Sequence, residues 1–138
     1  MNQFTNRSMP DCTIIPVLAY KDVEAAIDWL CNTFGFTERW RVGNHRAQLA
    51  FGGGGIALSG QEAGGEKDRH AIMVRVLDLN GHYEHVKQQG ANILAAPADF
   101  PYGERQYSVA DLEGHHWTFS QSIADVAPED WGGVSPAR

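Results

Sequence analysis

Cysteine is scarce in this 138-residue chain, which has only Cys12 and Cys31. That excludes a multi-bridge disulfide scaffold and any paired Cys-x-x-Cys redox or zinc motif. Positive charge is also short: 11 Lys and Arg stand against 17 Asp and Glu, a net charge of -6, so nucleic acid is not an expected partner. No apolar run approaches the roughly 20 residues that span a bilayer, and a membrane partner is not expected either. The first residues, MNQFTNRSMPDC, lack the basic start and apolar segment of a secretory signal. The expected location is therefore cytoplasmic, with both cysteines kept as thiols. Cys31 falls in a helical pattern and reads as a small buried residue, whereas Cys12 lies in an N-terminal arm. Missing too are a Gly-x-Ser-x-Gly elbow and a phosphate loop: Ser59 lacks the first context, and the glycines at 52–55 lie between two strand patterns with no Lys-Ser/Thr ending, as a hairpin turn does.

What is present is enough for one ordinary core. With 43% hydrophobic residues in 138, the chain reads as a single domain, 1–138. Residues 13–19 (TIIPVLA) are a strand candidate, with Pro16 marking an edge or an irregular position. Asp22 caps a helix running to about Phe34, whose apolar face is Val23, Ala26, Ile27 and Leu30 and whose stop is Gly35. Strands at 37–42, 45–51 and 55–59 follow, punctuated by glycine. The polar, Gly-rich stretch 61–69 is a joint. Beyond it the order recurs: strand 70–76, helix 78–89, Gly90 as its stop, a short strand at 91–94, and a closing hairpin. In that hairpin, 105–110 and 115–121 alternate around Asp111-Leu112-Glu113-Gly114, with Asp and Gly where a type I turn prefers them.

The recurrence is an internal duplication. Setting Asp22 on Asp78, 56 positions on, aligns Val23 with Leu79, Ile27 with Tyr83 and Leu30 with Val86, and brings Gly35 within one residue of Gly90. Two βαβββ modules result, 13–60 and 70–121, followed by a tail at 122–138. This duplication, together with the closing hairpin PYGERQYSVADLEGHHWTFSQ, resembles the vicinal oxygen chelate superfamily of glyoxalases, bleomycin-resistance proteins and dioxygenases. The tail SIADVAPEDWGG also resembles extensions of uncharacterised members. The resemblance implies an α+β fold in which two βαβββ modules form a curved mixed sheet around a cleft.

In catalytic members that cleft holds a divalent ion between side chains of the first and last strands of each module. Seven residues before the capping aspartates stand Ile15 and Ala71; four residues after the turn glycines, taken as Gly55 and Gly114, stand Ser59 and Thr118. None is an imidazole, thiolate or carboxylate donor, so no metal and no cofactor is expected. His70 lies one position from an expected ligand and, by strand alternation, points away from the cleft unless a bulge intervenes. His115 and His116 are adjacent on a strand and face opposite sides. His82 and His85 sit three apart on the second helix, where an exposed face accounts for them.

The remaining chemistry is that of a small-molecule pocket. Trp40 shares a face with Glu38 and Val42, turned either to the cleft or to the core. Gln48, Phe51, Tyr102, Glu104, Tyr107, His116 and Thr118 are further ligand-binding candidates, while Trp117 and Phe119 are assigned to packing under the helices. Arg105 beside Glu104 reads either as part of an acid–base or carboxylate-binding pair or as a solvated edge charge. The resemblance then implies a homodimeric protein of the antibiotic-resistance type that sequesters an aromatic or cationic drug or metabolite in a metal-free cleft. The alternative is a metal-dependent lyase, isomerase or dioxygenase resembling glyoxalase I. Whether the protein is an enzyme stays open between them, with a metal-free enzyme using Glu104 in between.

Overall fold

The computed structural model describes residues 6–60 and 70–134. The chain divides into two compact units, residues 1–65 and 66–138. Each unit carries one βαβββ module with its own four-stranded mixed sheet, so the fold is α+β. The 61–69 joint lies outside the described residues.

In the first unit the strands are β1 (Val17–Tyr20), β2 (Thr37–Val42), β3 (Arg46–Phe51) and β4 (Gly54–Gly60), in the order β1-β4-β3-β2. β1 runs parallel to β4 and the other pairs are antiparallel. β1 is shorter than the apolar run 13–19 suggests because Pro16 has no N–H to donate; its carbonyl still accepts from the Ala57 amide at 2.9 Å. Helix α1 (Val23–Trp29) starts at Asp22, whose Oδ1 accepts from the Ala25 N–H at 2.9 Å. It widens into a π turn over Leu30–Phe34 and ends at Gly35, φ 95°, a left-handed cap that only glycine adopts cheaply. Val23, Ile27, Leu30 and Phe34 pack onto Leu49 and Leu58 as the core of this unit. Arg41 on β2 completes the seam: its guanidinium grips Glu38 at 2.8 and 2.9 Å and lies 3.8 and 3.6 Å from Glu24 and Asp28 of α1.

In the second unit the strands are β5 (Ala71–Arg75), β6 (Asn92–Phe100), β7 (Glu104–Ala110) and β8 (His116–Ser122), in the order β5-β8-β7-β6. Helix α2 (Leu79–Gln88) is capped by Asp78 Oδ1, which accepts from Gly81 N–H at 3.1 Å, so both caps of the duplicated pattern are present. β6 is longer than the expected 91–94. Two register shifts, after Ile93 and after Ala95, carry the strand past Pro97 and on to Phe100. The core side is formed by Leu79 and Val86 of α2 over Tyr107, Val109, Trp117 and Phe119. His82 belongs to that core stripe rather than to an exposed face. Its ring lies 4.2 Å from that of Phe119 and its Nδ1 is 2.6 Å from the Tyr107 hydroxyl.

The hairpin between β7 and β8 is built around Asp111. Gly114 N–H donates to the Asp111 carbonyl at 3.0 Å, closing the turn. The Asp111 carboxylate, only 6% exposed, accepts from the amides of Glu113 and His115 and from the Trp117 indole N–H, at 3.0, 3.0 and 3.1 Å. Among the described residues no helix is long and apolar enough to cross a membrane.

Candidate functional site

Strand alternation divides each sheet into a face covered by its helix and a helix-free face. In the second unit the helix face is marked by Tyr107 and Phe119, whose rings lie 5.9 and 4.2 Å from that of His82 on α2. The opposite face therefore carries Glu104, Gln106 and Ser108 of β7 beside His116, Thr118 and Ser120 of β8. The cross-strand pairs Ser108↔Thr118 and Gln106↔Ser120 hold it together, through hydrogen bonds of 3.0 and 3.1 Å. Phe100 is the strand partner of Glu104, which brings an aromatic ring to the same face.

Glu104 is the chemical centre of this strip. Ser120 Oγ donates to its Oε1 at 2.6 Å. Hydrogen bonds from Ser120 and Ser122, with a smaller contribution from the charge of Arg75, hold its pKa below the usual glutamate value against the opposing effect of burial. Glu104 is thus a fixed carboxylate anion at neutral pH. The network continues from Ser120 to Gln106 and on to Tyr102, whose hydroxyl donates to Gln106 Oε1 at 3.3 Å. Arg105 does not pair with Glu104: it points to the other face and binds Asp99 at 2.6 Å.

Four expected ligand residues thus gather on one face: Tyr102, Glu104, His116 and Thr118. Two others are corrected by register. Tyr107 is on the helix side, 1% exposed, and burial followed by the neighbouring Tyr83 raises its phenol pKa well above the ordinary value. It is a core hydroxyl. Phe51 alternates with fully buried Leu49 and meets Phe36 edge-on at 5.3 Å, again on the helix side.

Trp40 and Gln48 do share the helix-free face of the first unit, because a register shift between Glu38 and Trp40 pairs Trp40 with Gln48. The same shift breaks the expected company of Trp40 with Glu38, which turns to Arg41 instead. This face is taken by the chain's own N-terminal arm. Trp40 Nε1 donates to the Ser8 carbonyl at 3.2 Å, Arg39 Nη2 to the Arg7 carbonyl at 2.9 Å, and Gln48 Nε2 to Met9 Sδ at 3.8 Å. Arg39 also donates to Gln48. Pro10 is buried against Gly55, where an added Cβ would stand 2.7 Å from the proline Cβ.

The positions tied by resemblance to a metal do not fit one. Ala71 and Thr118 lie on the helix-free face of the second unit and offer a methyl group and a hydroxyl. In the first unit the hairpin turns at Gly52 and Gly53, not Gly55, so strand pairing makes Ala57, opposite Val17, the equivalent of Thr118, opposite Met73. Neither Ala57 nor Ser59 supplies the imidazole, thiolate or carboxylate a first-row divalent ion needs. His70 is exposed and precedes β5. Among the described residues no three His, Cys, Asp or Glu side chains gather around one point. Cys12 and Cys31 carry free thiols; burial, with Glu38 and Asp28 nearby, raises the pKa of Cys31, so it is a poor nucleophile.

Sequence reasoning missed Phe100, Gln106 and Ser120 on this face, and Trp131, whose ring meets that of Tyr102 at 5.4 Å. Alternation from Glu104 and Thr118 points to Gln106 and Ser120. For Trp131 no local signal exists.

Comparison with known proteins agrees with the fold. Residues 13–119 match the model of the Glyoxalase/Bleomycin resistance protein/Dioxygenase superfamily. TioX from Micromonospora sp. ML1 is 32% identical, with a TM-score of 0.69 and coverage of 84% of this chain and 100% of that one. The genomically encoded fosfomycin resistance protein FosX from Listeria monocytogenes superposes with a TM-score of 0.68 over 82% of this chain and 94% of its own. At 16% identity that is a likeness of fold alone. An uncharacterized protein of Mycobacterium bovis is 27% identical over 129 residues, covering 80% of this chain and 84% of that protein.

Proposed function

This chain belongs to the Glyoxalase/Bleomycin resistance protein/Dioxygenase superfamily, and from that premise we propose that it is a metal-free, cytoplasmic small-molecule binding protein that sequesters an aromatic, cationic drug or metabolite. The observation that carries this reading is the carboxylate of Glu104, held ionised by Ser120 and Ser122 on a helix-free face that also presents Tyr102, His116 and Thr118. An anion already oriented by the protein attracts a cation without reorganising, and an adjacent ring adds stacking surface. Turnover is not required of it. A general base for chemistry at neutral pH works best with a pKa near the working pH; Glu104 is shifted the other way.

Homodimerisation is part of the same reading. β1 and β5 are edge strands of their sheets. Val17 and Met73, at matching positions of the two modules, are each 62% exposed on them. Apolar edge surface of this kind is normally covered. Light scattering is expected to give a dimer at micromolar concentration; a monomer there would remove this element.

The function is tested by titrating proflavine, a planar aromatic cation, and the anionic dye anilinonaphthalene sulfonate into the full chain by calorimetry. Metal content is measured after loading with zinc, nickel, iron(II) and manganese and desalting. Saturable proflavine binding that is weaker in Glu104→Gln, with no retained metal, supports sequestration. A stoichiometric tightly held ion, or a preference for the anionic dye, would overturn it.

A further inference from the structure

We propose that Trp131, in the C-terminal segment beyond the matched residues 13–119, is a ligand-contacting residue. It joins Phe100 and Tyr102 in an aromatic platform for a planar cation whose charge is taken by Glu104. This rests on the binding reading above and names a residue and a ligand class for the same site.

The segment is held in place by backbone contacts. Ile123 and Ala124 N–H groups both donate to the Gly103 carbonyl, at 2.8 and 3.3 Å. Gly103 has φ +84°, and a Cβ there would stand 2.5 Å from the Ala124 carbonyl oxygen, so the turn between β6 and β7 admits the returning chain only as glycine. A 3-10 turn at Pro128–Trp131 follows. It is closed by Gly132 at φ 105° and by the Gly133 N–H donating to the Pro128 carbonyl at 2.8 Å. These constraints deliver the Trp131 ring to Tyr102, centroids 5.4 Å apart at 62°, while Tyr102 stacks on Phe100 at 5.5 Å and 12°.

The three rings are not arranged as a core. Trp131 stays 44% exposed and Phe100 39%, although a tryptophan that served only to anchor the segment would bury most of its ring. Two of the three rings are tied to the anion, and Trp131 reaches it through Tyr102. Phe100 is the strand partner of Glu104, and the Tyr102 hydroxyl is connected to Glu104 through Gln106 and Ser120. Ring faces carry negative quadrupole density, so aromatic surface beside a carboxylate favours a flat, positively charged molecule over a neutral or anionic one. Arg75, whose charge also reaches Glu104, sits on β5 opposite Ser120, and the ligand's cation competes with it there.

The test measures proflavine affinity for the full chain and for Trp131→Ala, Trp131→Phe and Glu104→Gln, with a melting curve for each. Trp131→Ala is expected to bind about tenfold more weakly, Trp131→Phe to lie between it and wild type, and both to melt within a few degrees of wild type. Full wild-type affinity in Trp131→Ala overturns this inference and leaves the binding function standing. No proflavine binding by wild type overturns both. Should Trp131→Ala fold poorly, Trp131→Phe decides: equal affinity with a lowered melting temperature would make Trp131 a packing residue only.

Discussion

Replacing Asp111 by alanine should cost unit 2 about 3 kcal/mol. The carboxylate is buried and accepts from two turn amides and the Trp117 indole, and each bond to a charged acceptor contributes about 1.5–3 kcal/mol when the partner cannot find water. The amides of Glu113 and His115 lie in a turn whose tip, Leu112, is 40% exposed, so water replaces most of what they lose, leaving about 0.5 kcal/mol each. Trp117 is fully buried, and an indole N–H deprived of its carboxylate costs about 2 kcal/mol. For a chain of 138 residues the sum corresponds to a fall in melting temperature of about 10 °C. Urea unfolding followed by circular dichroism gives the free energy. A double-mutant cycle with Trp117→Phe isolates the indole bond, expected to couple by about 2 kcal/mol. A loss below about 1 kcal/mol, or a coupling near zero, would refute the assignment of Asp111 as the residue that joins the turn to the core.

Gly55→Ala should force Pro10 off the first sheet, since the new methyl group would stand 2.7 Å from the Pro10 Cβ; trypsin is then expected to cut after Arg7 several-fold faster, and unchanged cleavage would show that the arm is not held there. In a His116→Gln background, which removes the imidazole from the same face, proflavine affinity should stay level from neutral pH down to the ordinary glutamate range, about 4.3, and fall only below it. The reason is the sign of the Glu104 shift: a lowered pKa means that the carboxylate, and any stability it adds, persists above the ordinary value and is lost as pH drops through the lower folded one. A midpoint at or above the ordinary value would contradict the network around Glu104. In a Cys12→Ser background, Cys31 should react sluggishly with iodoacetamide at neutral pH and accelerate only in alkali, because burial and the nearby carboxylates raise its pKa; rapid neutral alkylation would refute this.

Much of the fold was legible because it depends on local chemistry. The paired capping aspartates Asp22 and Asp78, the helix stop at Gly35 and the Asp111–Gly114 turn are each short-range devices, and their spacing exposed the duplication. The site was legible in part. Alternation along β8 places His116 and Thr118 on one face and Trp117 and Phe119 on the other, as expected, since parity within one unbroken strand needs no partner. Parity failed where pairing slips: the shift between Glu38 and Trp40 and the two along β6 are properties of two strands together.

Local patterning along the chain thus accounted for the two modules, their caps and turns, and the resemblance they carry led to the α+β class. Tertiary structure decided which side of each sheet meets its helix, and with it the removal of Tyr107 and Phe51 from the site. It also decided that His82 lies in the core, that the N-terminal arm occupies Trp40 and Gln48, and that Trp131 stands beside Tyr102. These are contacts between residues tens of positions apart. Their geometry follows from how the packed elements and returning segments meet, which no local preference encodes.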